Sequence, residues 1–196
     1  MNEQKDLLES QIREIYGRVV YTHKTHEKCA DVLKSRSDYI KFAEIFLSAA
    51  TTTSILVVVF GDGEAFQFIA ALCSTILLGI TLYSKDFNLL AIAEKHKHAA
   101  LNILEIREKL LSLLVDIRIG NKEIEQLQKI RNELNEQLMN SYRGAPKTIN
   151  KAYQIASRAL QKNEEFTFSD AEIDKFLPPS LRKNVKFNIC HAKKDT

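Results

Sequence analysis

The chain lacks tryptophan and holds only three cysteines, three prolines and six glycines in 196 residues. So little Gly and Pro excludes a turn-rich all-β sandwich and a low-complexity chain. Cys29, Cys73 and Cys190 have neither metal-binding nor redox spacing, so no disulfide framework is expected. There is no glycine-rich phosphate loop with its lysine, no nucleophile motif and no helix-borne His-Glu-x-x-His. Enzyme chemistry therefore finds no support, and no cofactor or metal is expected. The most informative absence is local. Between Phe42 and Ser84 there is no Lys or Arg, although the chain carries 28 of them. The only acids in that stretch are Glu44, Asp62 and Glu64.

Two long uncharged runs fill it. Ile45–Phe60 is sixteen residues, extended to Phe42 if Glu44 is admitted, and Ala65–Ser84 is twenty. At about 1.5 Å rise per residue, twenty residues span the roughly 30 Å hydrocarbon core of a bilayer. Gly61-Asp62-Gly63-Glu64 joins them as a tight polar turn. A buried hairpin in a soluble core is the competing reading, but two adjacent runs of this length are rare in so small a soluble domain. Neither run is expected to be a secretory signal, since forty charged, amphipathic residues precede the first. Lys24, Lys28, Lys34, Arg36 and Lys41 flank the first run, and Lys85, Lys95 and Lys97 follow the second. The positive-inside rule then places both termini in the cytoplasm of a multi-pass membrane protein.

The flanks are helical in pattern. Leu8, Ile12, Ile15, Val19, His26, Cys29, Leu33 and Ile40 form an apolar stripe before the first span. Ile92, His96, Ala99, Ile103, Ile106, Leu110, Leu113 and Ile117 follow the second in an alternating four-three spacing, the mark of a coiled-coil-like seam. Ile124, Leu127, Leu134 and Leu138 continue in similar phase beyond Gly120. A straight helix over 85–143 would reach about 88 Å, against about 58 Å for the N-terminal helix. A break at Gly120 gives a matching arm of about 53 Å, which favours a three-helix cytoplasmic stalk over one long helix pairing between subunits. Gly144-Ala145-Pro146 ends the stretch. Short helices are expected over Ile149–Leu160 and from the Ser169–Glu172 capping box to Phe176, with a short strand or ordered extension over Val185–Ile189 and a loose end from His191.

The expected fold class is thus an all-α membrane protein. It has a two-helix transmembrane hairpin, long amphipathic, coiled-coil-like cytoplasmic helices and a small C-terminal helical extension. The expected divisions are 1–41 (N-terminal cytoplasmic helix), 42–84 (hairpin, 42–60 and 65–84 with turn 61–64), 85–143 (helices broken near 120) and 144–196 (extension and tail).

Three sets of residues are candidates for function. Glu44, Ser48, Thr51 and Thr52 form a narrow polar stripe on the first span, and Gln67, Ser74 and Thr81 form one on the second. Such stripes either let the two helices of a hairpin pack closely or line an aqueous path, and a path demands self-association because two helices enclose no pore. Asp62 and Glu64 would concentrate negative charge at the outer mouth of a subunit ring and favour cations. His26, Cys29 and His96 lie at similar depth beyond their spans, as seam residues that fix register or as a latch. A metal site there is a weaker alternative. The last 53 residues hold ten basic and six acidic residues without a dense aromatic-interleaved patch, so nucleic-acid binding is not expected. A cyclic nucleotide is compatible with that surface, but no motif points to one.

The layout resembles the SLATT superfamily, the two-span effector domains associated with bacterial nucleotide-signalling conflict systems. The likeness covers Tyr16-Gly17-Arg18, the spans with the Gly61–Glu64 turn, and Ala93-Glu94-Lys95-His96-Lys97-His98-Ala99-Ala100. It extends from Tyr142-Arg143-Gly144-Ala145-Pro146 through Ala152-Tyr153 to Phe176-Leu177-Pro178. The resemblance implies a bacterial inner-membrane, pore-forming or membrane-disrupting effector of abortive antiphage defence. It also implies oligomerisation and an upstream nucleotidyltransferase, nucleotide-sensing protein or reverse transcriptase. The alternatives from the residues alone are a membrane-anchored coiled-coil scaffold for a cytosolic enzyme and a regulated cation channel.

Overall fold

The computed structural model describes residues 3–61, 64–167, 169–176 and 178. Among these the regular structure is helical throughout: α1 (Glu3–Phe60), α2 (Glu64–Asp86), α3 (Leu89–Ile119), α4 (Ile124–Gly144), α5 (Asn150–Gln161) and α6 (Asp170–Phe176). Contacts divide the chain into two units, Met1–Ala156 and Ser157–Thr196. The apolar alternation over 185–189 and the end from His191 lie outside the described residues.

α1 is a single helix of 58 residues that carries both the N-terminal stripe and the first apolar run. No Gly or Pro interrupts it apart from Gly17, so nothing in its sequence forces a break. α2 runs back beside it, and Asn88 then caps α3, its Oδ1 accepting the Ala91 N–H at 3.0 Å. α3 packs along the N-terminal half of α1 in antiparallel sense. Arg118 reaches Glu9 at 3.2 Å, the Lys5 ammonium donates to the Lys122 carbonyl at 3.3 Å, and His96 meets His26 higher up. Gly120 closes α3 in the left-handed region (φ 75°), its N–H donating to the Asp116 carbonyl at 3.1 Å. The chain turns there, and a capping box at Glu123 and Gln126 opens α4. α4 lies against α3 and α1, with Lys109 bonded to Gln137 and Arg131 to Gln11.

One core unites these three helices. Leu8, Ile12, Ile15 and Val19 of α1 meet Ile103, Ile106, Leu110, Leu113 and Ile117 of α3 and Leu127, Leu134 and Leu138 of α4. The buried seam of α3 starts at Ala93, while Ile92 stays 37% exposed. The upper half of α1 and α2 is the opposite case. Both are long and apolar enough to cross a membrane, and almost nothing of their apolar windows is buried. Phe42, Ile45, Phe46, Phe68 and Leu72 all stand exposed. A soluble core hairpin would cover such side chains, so the surface matches a lipid environment. The chain is an all-α membrane protein built on a two-helix hairpin.

Candidate functional site

Within the hairpin the less exposed residues mark where α1 and α2 face each other. On α1 they include Ile40, Ala43, Leu47, Ala50 and Ser54, and on α2 Ala70, Cys73, Leu77, Ile80 and Ser84. These follow three- and four-residue steps, as a helix–helix seam requires. The polar stripe of α1 straddles that seam: Glu44 and Thr51 are half-buried, Ser48 and Thr52 exposed. The stripe of α2 lies outside it, with Gln67, Ser74 and Thr81 all exposed. Close packing within the hairpin therefore accounts for part of the first stripe and none of the second. Thr51 and Thr52 bond the carbonyls of Leu47 and Ser48 at 2.8 and 2.9 Å, and Thr75 bonds that of Ala71 at 2.8 Å. Ser54, which periodicity did not single out, is the buried polar residue of the seam. Asp62 lies outside the described residues, as does the side chain of Glu64, the first residue of α2.

In the stalk, the seam residues His26 and His96 are brought together. Their Nδ1 atoms are 2.9 Å apart, one donating and the other accepting according to tautomer. The rings tilt at 43° with centroids 5.1 Å apart. Burial pushes His26 down to about 4, with His96 and His23 lowering it further by charge repulsion. Burial lowers His96 as well. His23, one turn below, is lowered by burial, opposed by Glu27 at 3.6 Å and reinforced by Arg107 and Lys24. Cys29 does not join the pair through any bond seen here. Its sulfur accepts the Ile149 N–H at 3.4 Å, tying α1 to the segment after α4. Burial raises the Cys29 thiol, and that N–H partly offsets the rise. Among the described residues no group of three or more His, Cys, Asp or Glu could hold a metal ion.

Two cavities flank the stalk. One of about 490 Å³ between α1 and α3 holds Lys24, Lys28, Lys34 and Lys97 with Glu27, Asp31 and Glu94. Lys24 pairs with Glu27 at 3.0 Å and Lys28 with Asp31 at 3.6 Å, so its charge is largely matched within the chain. The other, about 980 Å³, is an open groove bounded by α1, the end of α4, residues 145–148 and the start of α5. His26 lines it.

A family model described as SMODS and SLOG-associating 2TM effector domain family 4 matches residues 8–172, from the first core leucine of α1 into α6. No curated protein and no solved structure matches the chain.

Proposed function

The chain belongs to family 4 of the SMODS and SLOG-associating 2TM effector domains, and from that membership we propose that it is an inner-membrane effector of bacterial antiphage defence. It assembles in the bilayer on a cytoplasmic signal and opens a pore or disrupts the membrane, without a catalytic step. The signal comes from a nucleotidyltransferase, a nucleotide-sensing protein or a reverse transcriptase. Both termini and the stalk face the cytoplasm, where the lysines flanking the spans lie, and Asp62 and Glu64 face the far side.

The observation that carries this reading is the outward row on α2. Gln67, Ser74 and Thr81 are exposed beside a seam that does not use them. Hydroxyls can satisfy themselves on their own helix, as Thr75 does, but a row of polar groups in lipid is disfavoured against one that meets another helix or water. Copies of the hairpin that turn this row inward would cover the exposed apolar flanks and enclose a polar path. The stalk lies directly below the spans through continuous α1, so a change in stalk packing can move them.

Ion and dye flux from liposomes, with purified protein reconstituted at increasing density, tests the proposal. Flux should rise steeply with density, because the conducting species contains several chains. Joint replacement of Gln67, Ser74 and Thr81 by Leu should abolish flux while leaving membrane insertion intact. Flux unaffected by those substitutions removes the lumen role from the row. Cellular toxicity retained after both spans are exchanged for an unrelated hairpin would instead identify a scaffold.

A further inference from the structure

The groove of about 980 Å³ differs from the neighbouring cavity in its chemistry. Arg13, Arg18 and Lys147 line it against a single carboxylate, Glu14. Arg13 is 3.6 Å from Glu9 and Arg18 3.7 Å from Glu14, both i,i+4 pairs with the arginine side chain more than half exposed. Such pairs are weak and screened, so they yield readily to a phosphate, which accepts two parallel hydrogen bonds from one guanidinium. Three tyrosines line the same space, Tyr21 from α1, Tyr142 from α4 and Tyr153 from α5. The rings of Tyr21 and Tyr153 stand 6.3 Å apart at 33°, and Tyr153 is 54% exposed. Aromatic faces beside cations are the combination that takes a base by stacking and its phosphate by charge. The volume lies near the upper end of small-molecule sites, roughly 300–1,000 Å³, so it suits a ligand larger than a lone phosphate.

We propose that this groove binds a small phosphorylated nucleotide, with Arg13, Arg18 and Lys147 holding phosphate and the tyrosines stacking the base. The floor gives such a ligand a route to the membrane. His26 lines the groove and is bonded to His96, whose helix leads through Asn88 into α2. An occupant that displaces His26 loosens the tie between α1 and α3. That regulatory role rests on the effector reading above, whereas the binding itself does not.

The full-length protein in lipid nanodiscs, probed by fluorescence anisotropy, tests the site. The probes are fluorescently labelled ADP and labelled cyclic di-AMP, with inorganic pyrophosphate, adenosine and a short single-stranded RNA as competitors. At least one labelled nucleotide should bind saturably and be displaced by its unlabelled form but not by pyrophosphate or adenosine alone. Arg18→Gln and Lys147→Gln should each weaken it about tenfold, the loss expected for a charge-assisted hydrogen bond. Tyr153→Ala should weaken it without lowering the unfolding temperature of the stalk. Four results overturn the proposal: no saturable binding by either probe, equal displacement by pyrophosphate, displacement by RNA but not by nucleotide, or unchanged binding in all three variants. Nucleotide binding in nanodiscs together with silence of protein-bearing liposomes given the same nucleotide would instead condemn the pore reading and leave the groove standing.

Discussion

His26 and His96 meet Nδ1 to Nδ1 at 2.9 Å across the α1–α3 seam, 3% and 1% exposed. Below His23 the seam is aliphatic, from Val19 on α1 and Ile103 on α3, and aliphatic seams tolerate sliding by a turn at modest cost. A buried polar pair does not, because a slip leaves both imidazoles without a partner. We propose that the pair fixes the register of α3 on α1 near the membrane, where an error would be passed to α2.

Replacing one ring tests that role. His96→Leu should cost about 1–3 kcal/mol, since it strands a buried imidazole nitrogen. The joint change of His26 and His96 to Leu should cost less than the two single changes together. The same pair should make the stalk acid-sensitive. Both rings titrate below the ordinary 6.5 when folded, His26 at about 4, so the unfolded chain takes up protons first as pH falls. Their contribution is present in full above about pH 6.5, declines below it and levels off once the folded His26 is itself protonated. His23 adds to the trend through its burial, with Glu27 and Glu108 opposing and Arg107 and Lys24 reinforcing it. Thermal unfolding in detergent micelles at neutral and mildly acidic pH should show the drop in the natural protein. The doubly substituted one should show a shallower drop.

Leu127 reports on whether α4 belongs to the stalk. It is fully buried in the core shared by α1, α3 and α4. Leu127→Ala should lower stability by about 2–5 kcal/mol, the range for emptying a well-packed site. Met139→Ala, at a position 47% exposed on the same helix, should change it by less than about 0.5 kcal/mol. Equal effects from the two variants, read by denaturant unfolding of the stalk signal, would place α4 outside the cooperative core.

The parts legible in the sequence are those set by local pattern. The missing Lys and Arg over 42–84 outline the hairpin, and the four-three spacing of Ile103, Ile106, Leu110, Leu113 and Ile117 finds the core face of α3. His26 and His96 were visible as polar positions on two seams at similar depth. Contacts set by crossing geometry were not. Cys29 bonds Ile149, 120 residues away, and no periodicity announces a segment folding back that far. Ser54 looks like one more hydroxyl in an apolar run, and only the line of approach of α2 buries it. The groove draws on Arg13, Arg18, Tyr142, Lys147 and Tyr153; Arg18, Tyr142 and Tyr153 fall in segments that carry the family resemblance, but no spacing in the sequence announces that they meet.

Gly120 should be costly to replace for conformational reasons alone. Its φ of 75° lies where side chains are disfavoured, yet a Cβ there would meet no atom within 4 Å. Gly120→Ala should therefore destabilise by about 1 kcal/mol through backbone strain, and Gly120→Asn by less. The turn is held on both sides, by the Lys122–Asp116 ion pair at 2.6 Å and by Lys5 on the Lys122 carbonyl at 3.3 Å. A destabilised α3–α4 turn should keep its fold and show only a lowered unfolding temperature. A lost α4 core, seen as proteolysis after Ile119 in the Ala variant, would contradict that.

Ser54 tests the hairpin in the same way. It is 5% exposed, in a span whose lipid-facing side chains are open. A small residue there lets the two backbones approach, and its side chain has no room to grow. Ser54→Ala should be tolerated within about 0.5 kcal/mol, whereas Ser54→Leu should overpack the seam and cost about 1–3 kcal/mol. Ser48→Leu, on the exposed side of the same helix, is the matched control. Unfolding of the micelle-embedded protein should separate Ser54→Leu from the control. If the two leucine variants melt alike, α1 and α2 do not form a tight pair at Ser54, and the spans meet other copies there instead.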